Sequence, residues 1–250
     1  MKHPGFAALR ATYLESWPAG LARLSVDSVD IPLTLDEARA LGSQIRGFGA
    51  AFAPPRDIEA IGRRIDSALE RFPAGAFVRL GSRSGKDSFA MEPRLARVTS
   101  RQGALAMLTE GSERIAADLD LALRHRYPPH IFVREWVPIE RWAELRCFVQ
   151  GRRLVGVTQY DPGLGPLPEL IENEAEIAAC VQDLFDDARD LLPLDDIVLD
   201  LFLERSSEGF TARLLELNPF SPSTGAGLFR WDLSLAGAGD FDGSFRFRRS

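Results

Sequence analysis

Apolar residues recur along this chain at two periods. Ile58, Ile61, Ile65 and Leu69 stand three and four apart between Asp57 and Arg71, the spacing of one helix face. Ala38, Leu41 and Ile45 do the same from Asp36 to Gly47, with Thr34 or Asp36 as cap, and Ile177, Val181, Leu184 and Ala188 form a stripe within a helix from Glu172 to Leu191. Further helices are predicted over residues 6–16, ended by Trp17-Pro18, over Arg101–Leu108 behind Thr99 or Ser100, and over Glu113–Leu123 behind Ser112. Pro54-Pro55 breaks the pattern before Asp57. Strands are predicted where the period drops to two or an apolar run is short. These are Leu24 to Leu33 (closed by Pro32), Ala76–Leu80, Ile131–Val137 (stopped by Pro138), and Leu145–Val149 with Leu154–Thr158 around a Gly151-Arg152 turn. A last hairpin joins Asp200–Glu204 to Leu214–Phe220, and Phe245–Phe247 reads as a short final strand. The sum is an α+β fold with mainly antiparallel pairing late in the chain.

The last hairpin carries the clearest chemistry. Alternation sends Glu216 and Asn218 to one face and Leu215 and Leu217 to the other. A three-residue loop, Ser207-Glu208-Gly209, with Gly209 at positive φ, sets Asp200 opposite Glu216. Like charges facing each other across a ladder destabilise it. Taken singly, Glu216 reads as a solvated edge residue and Asn218-Pro219 as a turn signal. Taken together, Asp200, Glu216 and Asn218 offer two carboxylates and an amide oxygen to a hard cation such as magnesium, which shares its shell with phosphate oxygens.

Two other segments fit a nucleotide. Arg79 ends a strand and leads into Gly81-Ser82-Arg83-Ser84-Gly85-Lys86-Asp87-Ser88, a polar loop read as mobile and rich in donors for a polyphosphate. It is not a Walker loop, since no Gly-Lys-Ser/Thr opens a helix. Arg134-Glu135-Trp136-Val137 ends at a proline, where unpaired backbone groups can meet an adenine; Trp136, taken alone, reads first as a core aromatic. Glu144 and Arg146 share a strand face. Arg146, among apolar neighbours, calls for an anion, which either Glu144 or a phosphate can supply.

Composition narrows the classes. In 250 residues, 45% are apolar and 26% charged, the balance of an ordinary soluble protein. The net charge of −6 gives no reason to expect nucleic-acid binding, and no apolar run approaches membrane-spanning length. The opening Met1–Phe6 lacks the apolar core of a signal peptide. Cys147 and Cys180 form no metal-spacing motif and fit a reduced, cytoplasmic setting. Basic residues are almost all arginine, a skew read as bacterial base composition.

The order of these segments, above all Leu145-Arg146-Cys147-Phe148-Val149 and Leu217-Asn218-Pro219-Phe220, closely resembles the cell division cycle protein 123 (D123) family, a branch of the ATP-grasp superfamily. The likeness runs from about Trp17 to Trp231. It implies an ATP-grasp fold that clasps a nucleotide. The expected division is an N-terminal region at 1–75, a first subdomain at 76–130 with the phosphate loop, and a second at 131–250 with the adenine hinge and metal hairpin. It implies Mg-ATP as ligand, with Asp200, Glu216 and Asn218 on the metal. Arg79 and Arg146 are expected near the phosphates, Arg134, Glu135, Trp136 and Val137 near adenine, and Lys86 and Glu144 among the other nucleotide-binding residues. Arg79 stands where the family usually has lysine, and Glu216 where many members have aspartate. Superfamily chemistry would make the chain a carboxylate–amine ligase working through an acylphosphate, with Arg79 and Arg146 stabilising the transferring phosphoryl group for an unknown small-molecule acceptor. The alternative is a non-enzymatic, ATP-binding assembly chaperone for a protein client, as eukaryotic members are for translation initiation factor 2, whose gamma subunit they clasp.

Overall fold

The computed structural model describes residues 4–45, 55–87, 96–234 and 238–249. Two compact units form: Asp27–Val137, and Met1–Val26 together with Pro138–Ser250. The cuts thus fall after Val26 and Val137, not after residues 75 and 130.

In the unit Asp27–Val137, β1 (Ser28–Pro32), β2 (Ala76–Leu80) and β3 (His130–Glu135) make an antiparallel sheet of order β1-β3-β2. β3 is therefore central rather than an edge. Val78, Leu80, Ile131 and Val133 share the face that packs on helices Leu35–Ile45, Pro55–Leu69, Arg101–Thr109 and Glu113–Arg124. From the predicted stripe, Ile61 and Ile65 are fully buried, while Ile58 and Leu69 pack at its margin. Each buried aliphatic side chain of this kind contributes about 1.5–3 kcal/mol.

Local signals fix the helix starts. Thr34 and Glu37 form a capping box: Glu37 N–H donates to Thr34 Oγ1 at 3.1 Å, and Thr34 N–H donates to Glu37 Oε2 at 2.8 Å. Ser100 Oγ accepts from Gly103 N–H, and Ser112 Oγ accepts from Ile115 N–H. The Gly/Ser loop does not hang free as far as it is described. Arg83 Nε reaches Asp118 at 2.8 Å, Ser84 and Gly85 are buried, and Asp87 binds the start of helix Glu113–Arg124. Lys86 is exposed, and Ser88 lies outside the described residues.

Asp87 accepts from the Ser112 hydroxyl at 2.7 Å and from Arg114 N–H at 3.0 Å. Burial, the largest single influence, lifts its pKa, but these bonds and the Arg114 charge together outweigh it and hold the carboxyl below 3.8. A lowered folded pKa means stability that is present above the ordinary aspartate range and lost as the pH falls through the folded value. Asp87→Ala is expected to lower stability by about 1 kcal/mol at neutral pH, allowing for solvent screening. Urea unfolding of variant and parent should converge as the pH drops below 3.8.

The second unit holds β4 (Glu144–Gln150), β5 (Arg153–Gln159), β6 (Ile197–Ser206), β7 (Gly209–Pro219), β8 (Trp231–Asp232), β9 (Ala238–Gly239) and β10 (Phe245–Arg246). Five of them form a sheet of order β10-β5-β4-β6-β7, antiparallel except where β10 joins β5. The β4–β5 turn has the predicted two residues, Gly151 and Arg152, at φ 55° and 57°. Arg152 is held in that left-handed conformation by Asp195, which accepts from its Nε at 2.6 Å, and by the Arg189 carbonyl. Leu145, Cys147 and Val149 meet Leu199, Leu201 and Leu203 on one sheet face, under helix Glu174–Arg189.

Several boundaries differ from the sequence reading. The first helix is Phe6–Ala11, followed by a 3₁₀ turn at Leu14–Ser16. The long helix is preceded by a separate short one, Pro168–Glu172, with Asn173 between them. β3 stops at Glu135, before Trp136 and Val137. Gly47 and Pro54 lie outside the described residues. Among the described residues, no helix is long and apolar enough to cross a membrane.

Candidate functional site

Four strands of the second unit line up one row of side chains. Thr158 lies opposite Arg146, Arg146 opposite Asp200, and Asp200 opposite Glu216. Directly opposed residues share a face, so all four point the same way. Two bulges create this alignment. Counted back from the Gly151-Arg152 turn, Arg146 would meet Val157; the extra residue Val155 moves it to Thr158. The β6–β7 loop has two residues, Ser207 and Glu208, because Ser206 pairs with Gly209. From that loop Asp200 would meet Leu215; the bulge at Leu215 passes it on to Glu216. The anticipated pairing of Asp200 with Glu216 therefore holds, but a bulge produces it rather than a three-residue loop. Leu214, not Leu215, joins Leu217 in the core.

The guanidinium of Arg146 answers the like-charge problem. Its Nε and Nη2 donate to Asp200 Oδ1 and Oδ2 at 2.7 and 2.8 Å, a bidentate pair with Asp200 1% exposed. Arg146 Nη1 donates to the Gly225 carbonyl at 2.8 Å, and its plane lies 4.8 Å from the Tyr160 ring centre. Burial opposes the charged guanidinium. The bonds and charge of Asp200, with Tyr160 and Glu216, overcome that and raise its pKa above the ordinary arginine value. Asn218 Nδ2 donates to Asp200 Oδ2 at 2.9 Å. The anion that Arg146 requires is thus Asp200 rather than Glu144, which lies opposite Phe202 in the next row. The neighbouring Cys147 thiol is pushed up by burial and by Asp200, so it stays protonated and inert.

A segment after β7 covers the row. Leu228 N–H donates to Thr158 Oγ1, and Trp231 Nε1 donates to the Thr224 carbonyl at 2.7 Å. Gly225 sits so close that a Cβ would stand 3.1 Å from Arg146 Nη1. Gly227 has φ +61°, and a Cβ there would come within 2.3 Å of Thr158 Cγ2, so both backbone strain and contact demand glycine. Phe148 anchors this cover, with the rings of Phe229, Trp231 and Phe241 at 5.5, 5.9 and 4.5 Å.

The arrangement can accept a hard cation only in part through Asp200. A carboxylate offers about four lone-pair sites, and at least three of Asp200's are engaged. Glu216 lies opposite Asp200, and the Asn218 amide is bonded to it through Nδ2. Among the described residues, no group of three or more His, Cys, Asp or Glu side chains is placed to hold an ion.

In the unit Asp27–Val137, register sets Arg79 opposite Phe132 and Phe77 opposite Arg134. Both arginines therefore lie on the sheet face away from the helices, and both are buried, at 3% and 2% exposed. Arg79 Nε donates to the Leu80 carbonyl at 3.0 Å. The backbone amides of the expected hinge are partly in use: Glu135 N–H donates to Asp27 O and Trp136 N–H to Gly75 O. The Glu135 side chain is exposed and falls on the opposite face, while Trp136 and Val137 are half-buried.

Thr158, Tyr160, Gly225 and Gly227 were not legible as site residues. The only sequence signal was the small-residue loop Ser221–Gly227, whose glycines prove to be close-approach positions.

The family model described as D123 matches residues 43–247. The chain belongs to the D123 family. Over 188 residues it is 27% identical to Cell division cycle protein 123 of Eremothecium gossypii, covering 72% of this chain and 51% of that one. Over 240 residues it is 24% identical to the Translation initiation factor eIF2 assembly protein of Schizosaccharomyces pombe, covering 89% of this chain and 71% of that one. The chain thus spans about half the length of the first relative. The solved structure of Cdc123 from Schizosaccharomyces pombe superposes with a TM-score of 0.80 at 21% identity, with both chains fully covered. That likeness gives the D123 chain its fold, α+β with antiparallel-dominated sheets. Both relatives are fungal and lend no support to the bacterial origin read from the arginine skew.

Proposed function

We propose that this chain is an Mg-ATP-binding assembly factor for a protein client, of the kind named by its fission-yeast relative. The observation that carries the reading is the likeness to that eIF2 assembly protein over 89% of this chain. The ATP part is supported by the oxygen-rich row at Asp200, Glu216 and Asn218 beside Arg146. Magnesium would be taken by Glu216 and Asn218 beside Asp200, and would neutralise phosphate charge there. Arg146 keeps one proton on each Nη for a phosphate oxygen. By family resemblance Arg79 belongs near the phosphates and Arg134 to Val137 near adenine, with Lys86 and Glu144 among the nucleotide-binding residues. A cytoplasmic setting goes with the same reading.

Calorimetry on the full chain tests it, together with direct binding to the purified gamma subunit of translation initiation factor 2. The expected result is magnesium-dependent ATP binding without turnover, and binding of the subunit. Glu216→Gln, which leaves the Arg146–Asp200 pair intact, should weaken ATP binding roughly tenfold in magnesium and little without it. ATP consumption stimulated by one small carboxylate or amine, with no binding of the subunit, would overturn the proposal in favour of a ligase.

A further inference from the structure

The outer margin of β7 is a sheet edge beside an acidic wall. β7 ends its sheet. Leu203 N–H donates to Ala143 O, on the β4 side, so its partner Ala212 turns its own backbone groups away from β6. Leu214, two residues on, does the same: its N–H donates to Leu24 O at 2.7 Å, and its carbonyl accepts from Ser25 Oγ. The chain itself thus already lays one extended residue, Ser25, in parallel against this edge.

Past that bridge the edge opens on a groove of about 600 Å³. Leu24, Leu184, Phe210 and Ala212 form its apolar part. Among the described residues, the Ala212 N–H meets the Cys180 sulfur of helix Glu174–Arg189, a weak acceptor that a segment's carbonyl would have to displace. The far wall is helix Glu174–Arg189, which presents Glu176, Asp183 and Asp187 at spacings of seven and four, one face of the helix. All three are exposed, and among the described residues none is ion-paired. Arg213 in the same groove is occupied by Glu204 and the Ser25 carbonyl, and Arg23 leaves the acidic charge in excess.

We propose that this edge takes an extended segment of a protein client bearing lysine or arginine at alternate positions, by strand addition continuing from Ser25. Main-chain bonds at Ala212 and Phe210 supply the pairing. Alternate side chains of the segment meet either the apolar floor or the carboxylate wall. The inference deepens the assembly-factor reading and rests on it only for the nature of the partner. The acidic wall argues for a basic segment, and two copies of the same acidic groove would repel.

The test uses the full chain and a short labelled peptide alternating lysine and valine, with a glutamate–valine peptide as control. Fluorescence anisotropy at low salt should show the lysine peptide bound roughly tenfold more tightly than the control. Glu176→Gln, Asp183→Asn and Asp187→Asn together should abolish that preference. Ala212→Pro removes an N–H that is outside the ladder, so the far-ultraviolet circular dichroism should be unchanged while peptide affinity falls roughly fivefold. Equal binding of the two peptides, or lysine-peptide binding unaffected by either variant, would overturn the inference. So would a dimer in sedimentation that Ala212→Pro dissolves. If the gamma subunit binds the parent and both variants equally well, the groove assignment falls and the assembly reading stands. If the subunit never binds while the peptide behaves as expected, the reverse holds.

Discussion

Asp200→Ala lowers the stability of the chain by about 3–5 kcal/mol, because it strands a buried guanidinium without its counter-charge. Asp200 is 1% exposed and fills both sides of the Arg146 fork. Its removal also strips Asn218 of an acceptor. Urea unfolding followed by circular dichroism reads the loss as a shift in midpoint. Arg146→Met combined with Asp200→Leu should return the stability to within about 1–2 kcal/mol of the parent, since apolar residues of similar volume often replace a buried ion pair at little cost. That double variant separates two roles. If it is stable yet no longer binds ATP in the presence of magnesium, the row serves a ligand. If it binds ATP unchanged, the row is scaffolding and the proposed metal and phosphate contacts are wrong. A single-variant loss below about 1 kcal/mol would show that the pair is solvated, against the burial described here.

Phe148→Ala is expected to cost a similar amount, about 3–5 kcal/mol, through the cavity left by a fully enclosed ring. The consequence reaches further than the strand that bears it. Phe229, Trp231 and Phe241 all lie beyond β7, and their contact with Phe148 holds the covering segment down. That segment delivers the Gly225 carbonyl to Arg146. Hydrogen exchange should therefore speed up at Thr224 and Phe229, whose amides bond to Ser221 and Ala226 within the cover. Phe148→Leu keeps most of the volume and should lose much less stability. Uniform exchange rates across the cover in the alanine variant would mean that the aromatic group is not what fastens it.

Much of the scaffold was legible from local chemistry. The Ile61–Ile65 stripe is buried because helical spacing puts it on one face, and Ser100 and Ser112 cap because their hydroxyls meet amides that the first helical turn leaves unbonded. Gly151-Arg152 made a two-residue turn as its position between two apolar runs implied. The Gly/Ser loop was harder to read. Its composition suggests mobility, yet Asp118 and the amide of Arg114, distant in sequence, tie down Arg83 and Asp87. Asp200, Asn218 and Arg146 were each picked out from the sequence. Their joining was not, because Arg146 and Asp200 are 54 positions apart and nothing local announces the pair.

By itself the sequence determined which helices and strands form, which faces are apolar, and the family motifs around Arg146 and Asn218. Only the folded chain decided what stands beside what. A strand has a side-chain period of two, so a slip of one residue sends every side chain to the other face. The extra residues Val155 and Leu215 make such slips, and an apolar pattern such as Leu214-Leu215-Glu216-Leu217 carries no mark of them. The row from Thr158 to Glu216 exists because two bulges bring four strands into phase, and each is a matter of how two strands pair rather than of one segment's pattern.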